Sequence, residues 1–255
     1  KGVLPLTARH GKLMACLIET IEGRPLCLFA RLGMTGKFIL NPSHLPLRSG
    51  VKMSLLLAEK GTAEPTTRLD FINTRMFGAI WGAYVDHRYE SQELERVLMR
   101  LFSREVEASA MGPDVYELCQ TPQRWIDHLR GVSQKRQVKT ALLDQKLLAG
   151  VGNIYAVEGL FVAKAHPLSR VQDLSDQQLT DMAEGIRVAM RATLERSAGR
   201  DEVVYGSAQG EESPFAVYGR DGLPCRVCHQ DLVLMRVGGR ATVFCPHCQS
   251  HKSHL

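Results

Sequence analysis

The spacing of hydrophobic positions changes along this chain. Up to about residue 110 they fall in short runs, such as RPLCLFARLGMTGKFIL, VKMSLLLAEKG, TRLDFIN and FGAIWGAYVD, broken by Gly, Pro or Asn. Such runs predict strands. A charged stretch, ESQELERVLMRLFSREVE, interrupts them. Its Leu94, Val97, Leu98, Leu101 and Phe102 share one helical face, which predicts a helix over residues 91–105. MGP at 111–113 reads as a linker.

From about 114 to 199 the period becomes helical. Thr121 stands at a helix start with Pro122 at the first helical position. VSQKRQVKTALLDQKLL carries Val138, Leu142 and Leu143. Ser175 lies three residues before Gln178, the signature of a capping box. Leu179, Met182, Ile186, Ala189 and Thr193 then form one stripe, read as helix core. Residues 200–223 are rich in Gly, Ser and acids and read as a mobile loop, and a small Cys/His-rich module follows. No internal repeat is visible.

One apolar run breaks its own rule. LLAGVGNIYAVEGLF, residues 147–161, places Gly150, Gly152 and Asn153 where a buried helix would be expected. Glycine inside a helix costs about 1 kcal/mol relative to alanine. Two helices, over 135–147 and 154–164, joined by a tight Gly-Val-Gly turn remove the conflict. Asn153 then predicts an N-cap. The amides at that helix start offer a phosphate site, with Lys135, Arg136, Lys139 and Lys146 nearby in sequence.

The 255 residues are 44% hydrophobic and 23% charged, which excludes wholesale disorder and allows more than one domain. A formal charge of +5 permits a nucleic-acid partner without requiring one. No apolar run is long enough to span a bilayer and no signal-peptide pattern opens the chain, so the expectation is a soluble intracellular protein.

Seven cysteines, an odd number, argue against a disulfide framework. Cys16, Cys27 and Cys119 lie among apolar neighbours and read as buried thiols. The other four form two CxxC pairs, Cys225 with Cys228 and Cys245 with Cys248, separated by residues 229–244. That spacing fits one structural zinc bound by four thiolates, a closed site with no position left for chemistry. His229 and His247 lie beside the pairs as competing ligands. Between the pairs, LVLMRV and ATVFC read as two strands joined by GGR, which puts Arg240 at the hairpin tip. An arginine there suits phosphates or base edges.

GVGNIYAVEGLF followed by HP, then YGRDGLPCRVC and RATVFCPHCQ, closely resembles the formamidopyrimidine-DNA glycosylase/endonuclease VIII family. RLGMTG and TRMFGA are closer to the formamidopyrimidine branch, and the resemblance runs from about residue 7 to residue 250. It implies an α+β multidomain fold. A β-sandwich would occupy residues 1–112, a helix-two-turn-helix domain 113–200, a loop 201–223 and a zinc-finger hairpin 224–255. It implies a bifunctional glycosylase/AP lyase of base-excision repair that removes oxidised bases and cleaves the strand by β,δ-elimination. The implied partner is damaged double-stranded DNA, bound by a monomer with one zinc and no membrane contact.

The resemblance also assigns residues. Asn153 and Arg240 would grip phosphates, with Lys135 and Lys139 beside them. Met34, Arg75 and Phe77 match three residues that fill the void left by a flipped nucleotide. Lys12 matches a proton donor in β-elimination, and Arg240 an arginine of δ-elimination. Both could instead hold phosphate, since arginine is a poor proton donor at its usual pKa.

Four departures qualify the match. Family members begin with a proline whose amine attacks the sugar C1′, followed by glutamate. This sequence begins KGVLPL and joins the pattern several dozen residues late, so the expectation is that a preceding segment carries the catalytic terminus. The alternative reading is a non-catalytic binder of damaged or abasic DNA. A histidine the family uses near DNA falls around Arg48 and Ser49, and a helix-domain lysine falls at Gln134. The 200–217 loop is unlike the usual pattern, which leaves lesion preference open.

Overall fold

The computed structural model describes residues 6–20, 22–33, 36–59, 62, 64–75, 77–85, 93–198 and 213–250. Among these the chain forms two compact units, one ending at Ala110 and the other beginning at Met111.

The first unit holds the two sheets of a β-sandwich. One is antiparallel in the order β1 (Leu6–His10), β2 (Leu13–Glu19), β3 (Pro25–Arg31), β7 (Ala79–Tyr84). The other has the order β4 (Lys37–Pro42), β6 (Thr67–Ile72), β5 (Val51–Leu57). In β2 the alternate residues Leu13, Ala15 and Leu17 are buried, as a pleated strand with one inward face requires. In β3 four consecutive residues, Cys27–Ala30, are buried, so both its faces are covered. Phe29 there stacks on Trp81 of β7, with ring centroids 5.8 Å apart.

Helix α1 (Leu94–Ala108) is the amphipathic stretch, displaced three residues from its expected span. It packs on β1 and β2 and buries Val97, Leu98 and Phe102. The charged stretch that interrupts the strand-like runs is thus a cover for the sheet. In the second sheet a buried ionic knot stands beside the buried apolar Ile39, Leu69 and Phe71. Asp70 accepts from Arg68 Nε at 2.7 Å, Ser54 Oγ at 2.6 Å and Asn41 Nδ2 at 2.9 Å. These donors, Arg68 first, hold its carboxyl down at about 2 despite its burial. Arg68 also donates to the Leu45 carbonyl at 2.6 Å, tying the 43–49 loop to β6.

The second unit is helical, with a zinc-finger hairpin. Its helices are α2 (Val115–Leu118), α3 (Pro122–Ser133), α4 (Val138–Leu143), α5 (Asn153–Val162) and α6 (Asp176–Ser197). The capping box at α6 forms as the sequence predicts, with both Ser175–Gln178 bonds at 3.1 Å. Thr121 stands at the N-cap of α3 but makes no side-chain capping bond; Pro122 alone sets that start. The stripe Leu179, Met182, Ile186, Ala189 and Thr193 is buried as read. Buried Trp125 donates its indole N–H to the Leu179 carbonyl at 2.9 Å, joining α3 to α6. Gly159 and Gly185 mark where α5 and α6 cross. A Cβ on Gly185 would sit 3.0 Å from Gly159 Cα, so only glycine lets the backbones come so close.

The expected helix over 135–147 is shorter. Residues 134–138 instead run beside 169–172: Val138 N–H donates to Ser169, Val171 N–H to Arg136 and Gln172 N–H to Gln134. The backbone satisfied there cannot also continue a helix, so α4 begins at Val138. Among the described residues no helix is long and apolar enough to cross a membrane.

Candidate nucleic-acid interface and metal centre

The four C-terminal cysteines converge. Their Sγ atoms all lie within 4.8 Å of one another. Cys225 Sγ is 4.0 Å from Cys248 Sγ, and Cys228 Sγ is 3.4 Å from Cys245 Sγ. A tetrahedral zinc with bonds of about 2.3 Å needs sulfur–sulfur edges of about 3.8 Å, so the donor set fits the ion. Each knuckle also turns amides onto sulfur: Val227 N–H donates to Cys225 at 3.4 Å and Cys248 N–H to Cys245 at 3.3 Å. Such bonds stabilise thiolates and orient them. Neither His229 nor His247 joins the cluster.

The metal module is built onto α5. Val157 and Phe161 of that helix form one apolar cluster with Val217, Cys225, Leu232, Val243 and Cys245. Two buried polar side chains add bonds. Glu158 of α5 accepts from the amides of Ala216, Val217 and Tyr218 at 2.7, 3.0 and 2.8 Å. Gln249 accepts from Cys245 N–H and donates to the Ala165 carbonyl, both at 2.9 Å.

Strands β8 (Val233–Val237) and β9 (Arg240–Phe244) form the hairpin between the cysteine pairs. Gly238 and Gly239 have φ of 57° and 74°, the two-residue turn that suits the strands' right-handed twist. Arg240 is therefore the first residue of β9 rather than part of the turn, and it is exposed. A Cβ on Gly238 would lie 3.4 Å from Thr140 Cγ2, so the tip sits against α4.

Lys139 lies at the centre of that contact. Its side chain is fully buried. Its Nζ donates to Asn153 Oδ1 at 2.8 Å, Thr242 Oγ1 at 2.5 Å and the Ala241 carbonyl at 3.4 Å. Asn153 completes the loop by donating Nδ2 to the same Ala241 carbonyl at 2.9 Å. Burial, and then the charge of Arg240, bring the Lys139 ammonium down to about 8.

The Gly-Val-Gly turn is organised by a residue that the sequence did not single out. Gln145 donates to the carbonyls of Leu143 and Val151 at 3.1 and 2.9 Å and accepts from Gly150 N–H at 3.0 Å. Gly150 takes a φ of 108°, open to glycine and strained for other residues. The expectation that Asn153 caps α5 is corrected. The N-cap is Gly152, without a side-chain cap, and Asn153 is the first helical residue. Its amide is used across the fold on Ala241, which leaves the start of α5 uncapped by any side chain.

In the first unit, Lys12 is exposed in the two-residue turn between β1 and β2, where Gly11 has a φ of 57°. Arg75 and Phe77 lie exposed on the segment between β6 and β7, Phe77 with 69% of its surface open. Met34 falls outside the described residues.

Two family models match. The formamidopyrimidine-DNA glycosylase H2TH domain covers residues 111–203, and a zinc finger found in FPG and IleRS covers 222–250. The formamidopyrimidine-DNA glycosylase of Thermomicrobium roseum is 31% identical over 253 residues, spanning 94% of this chain and 80% of the relative. This chain belongs to the formamidopyrimidine-DNA glycosylase family. A Synechococcus relative of the same name is 32% identical, over 94% of this chain and 79% of its own length. The Lactococcus lactis formamidopyrimidine-DNA glycosylase, solved non-covalently bound to DNA containing an AP site, superposes with a TM-score of 0.71 at 25% identity, covering 96% of this chain and 81% of that one. A MutM complex with DNA carrying carbocyclic 8-oxo-G gives the same TM-score, identity and coverage.

Within this formamidopyrimidine-DNA glycosylase relative the predicted residues divide. Lys139, Asn153 and the start of β9 are brought together, as are the four cysteines. Lys139 departs from its expected role, because a fully buried ammonium bonded to three oxygens does not reach a phosphate. Lys135 is exposed in the turn before α4, while Arg136 is engaged by Asp144 at 3.0 Å. Glu158 had a readable signal: it is a lone carboxylate inside the apolar run AVEGLF. Gln249 and Thr242 had none.

Proposed function

We infer that this chain acts on damaged double-stranded DNA as a DNA glycosylase for oxidised bases with AP lyase activity. The observation that carries this reading is the Lys139–Asn153–Ala241 knot. It ties the uncapped start of α5 to the start of β9, where Arg240 is exposed, so that helix-start amides and an exposed arginine share one neighbourhood. Partial positive charge from the amides and a fixed fork of donors suit a phosphate. Lys135 adds a cation at the surface.

Phe77 and Arg75 serve as the wedge. Removing a nucleotide from the stack costs a few kcal/mol, and an apolar ring with a cation partly restores what is lost. Exposure of Phe77 supports this, because an aromatic ring in water has no packing role to explain it. Lys12 handles a proton or holds phosphate in the elimination, and Arg240 assists. The reaction itself needs an amine nucleophile at C1′, which the family takes from an N-terminal proline. The zinc supplies fold, not chemistry, since all its ligand positions are thiolates. DNA as substrate places the protein's work inside the cell, with the chromosome.

The test uses three duplexes that differ at one position: intact, abasic, and bearing an oxidised purine. Binding should favour the abasic duplex over the intact one by roughly tenfold or more. Phe77→Ala should remove most of that preference. Equal affinity for all three duplexes in the unaltered protein would overturn the reading. Preference without strand cleavage, in protein that begins with the family's proline, would leave a damage binder in place of an enzyme.

A further inference from the structure

The segment between β6 and β7 raises a question that the wedge role does not answer. It must hold an aromatic ring out in water and in register, although Thr74, Arg75 and Phe77 are all exposed. The answer lies at its first residue. Asn73 is 2% exposed, its backbone N–H donates to the Gly50 carbonyl at 3.1 Å, and its Nδ2 donates across the loop to the Gly78 carbonyl, also at 3.1 Å.

Glycines close the other side. A Cβ on Gly33 would lie 2.6 Å from the carbonyl carbon and oxygen of Phe77, so the turn after β3 presses directly on the Phe77 backbone. A Cβ on Gly78 would lie 2.7 Å from Asn73 Nδ2 and 2.9 Å from the carbonyls of Arg31 and Leu32. The peptide after Phe77 is thus pinned between β3's end and the Asn73 amide, while the ring points outward.

The chemistry of Asn73 agrees with a positioning role. Among the described residues its Oδ1 is buried without a hydrogen-bond partner. A leucine would fill the same space without burying an idle carbonyl. What asparagine adds is the donor to Gly78. We propose that Asn73 is a positioning residue for damage recognition: by bridging the ends of the 73–78 loop it sets the direction in which Phe77 projects. This rests on the reading of Phe77 as the wedge.

The experiment measures binding of intact and abasic duplexes by the whole protein and by Phe77→Ala, Asn73→Ala, the Asn73→Ala/Phe77→Ala double variant and Gly78→Ala. Asn73→Ala should weaken abasic binding about tenfold and change intact-duplex binding less than twofold. Added to Phe77→Ala, it should change abasic binding less than twofold, because no ring remains to be aimed. Gly78→Ala keeps the asparagine but puts a Cβ 2.7 Å from its Nδ2, displacing the bridge, and should show the same selective loss; it decides the matter if Asn73→Ala does not fold. Equal losses on both duplexes, or additive losses in the double variant, overturn the proposal by making Asn73 a packing residue. If Phe77→Ala itself lacks a selective effect, the wedge reading fails and takes the proposal with it. Selectivity lost in Phe77→Ala but kept in Asn73→Ala and Gly78→Ala overturns the proposal alone.

Discussion

The helix junction and the sandwich loop solve opposite problems. In the second unit, the groups proposed to meet a phosphate stand on a frame of buried polar bonds: Lys139 to Asn153, Glu158 to the 216–218 amides, and four thiolates drawn together beside the hairpin. In the first unit, Phe77 stands exposed on a loop held by one amide bridge and by the close approach of two glycines. A charge-complementary surface gains from being rigid before its partner arrives, since no ordering remains to be done on binding. An apolar wedge cannot be buried beforehand without losing its use. The first kind of site should therefore fail for every DNA at once, and the second only where a gap exists to be filled.

The largest test of that contrast removes the metal. The protein should carry one zinc per chain, and a structural zinc contributes on the order of 10 kcal/mol to the fold of its module. Because the cysteine module shares its apolar cluster with α5, chelation should abolish binding to intact and abasic duplexes alike. Metal analysis beside an anisotropy titration checks this. Full binding by zinc-free protein would show that the hairpin does not organise the phosphate grip.

Next in size is the difference between two neighbouring lysines. Lys139→Met leaves Asn153 Oδ1 and Thr242 Oγ1 without their shared donor, at a cost of about 1–3 kcal/mol. Binding to both duplexes should fall roughly tenfold to a hundredfold, yet the slope of log K against log salt should not change, because no phosphate contact is lost. Lys135→Ala should cost only a few-fold and lower the slope by roughly 0.9. A lowered slope in Lys139→Met would return that residue to the surface role first expected of it.

These cases also show what the chain revealed in advance. Cysteine spacing was enough for the metal site, because four thiolates in two CxxC pairs have few other uses. The Ser175–Gln178 box formed as read, because it is settled within one helical turn. Asn153 was legible as special but not in its bond, whose acceptor Ala241 lies 88 residues away. Lys139 misled because a lysine is ordinarily a surface residue, and nothing nearby in sequence announces the pocket of oxygens that receives it. The short α4 was hidden for a related reason: residues 169–172, from beyond α5, take the backbone bonds that a longer helix would have used. Local chemistry was readable; pairings across the fold were not.

The smallest effects come from pH, and they set the two units' buried charges against each other. Asp70 and Lys139 both sit below their ordinary pKa, for opposite reasons. Hydrogen bonds from Arg68, then Ser54 and Asn41, favour the ionised Asp70, so its contribution is complete above about 3.8 and is lost as pH falls through about 2. Burial disfavours the ionised Lys139, so between about 8 and 10.5 the unfolded chain binds the extra proton and the fold gains stability as pH rises. From pH 5 to pH 3 the first unit should lose roughly 1 kcal/mol through Asp70, and from pH 7 to pH 9 the second should gain roughly 1 kcal/mol through Lys139. Denaturant unfolding of wild type beside Asp70→Asn and Lys139→Met isolates each contribution, because all other titrations are shared. The acid difference should vanish in Asp70→Asn and the alkaline one in Lys139→Met. An alkaline loss that Lys139→Met abolishes would mean that the ammonium is stabilised by its three oxygens more than it is penalised by burial, and the knot would then be a net source of stability at neutral pH.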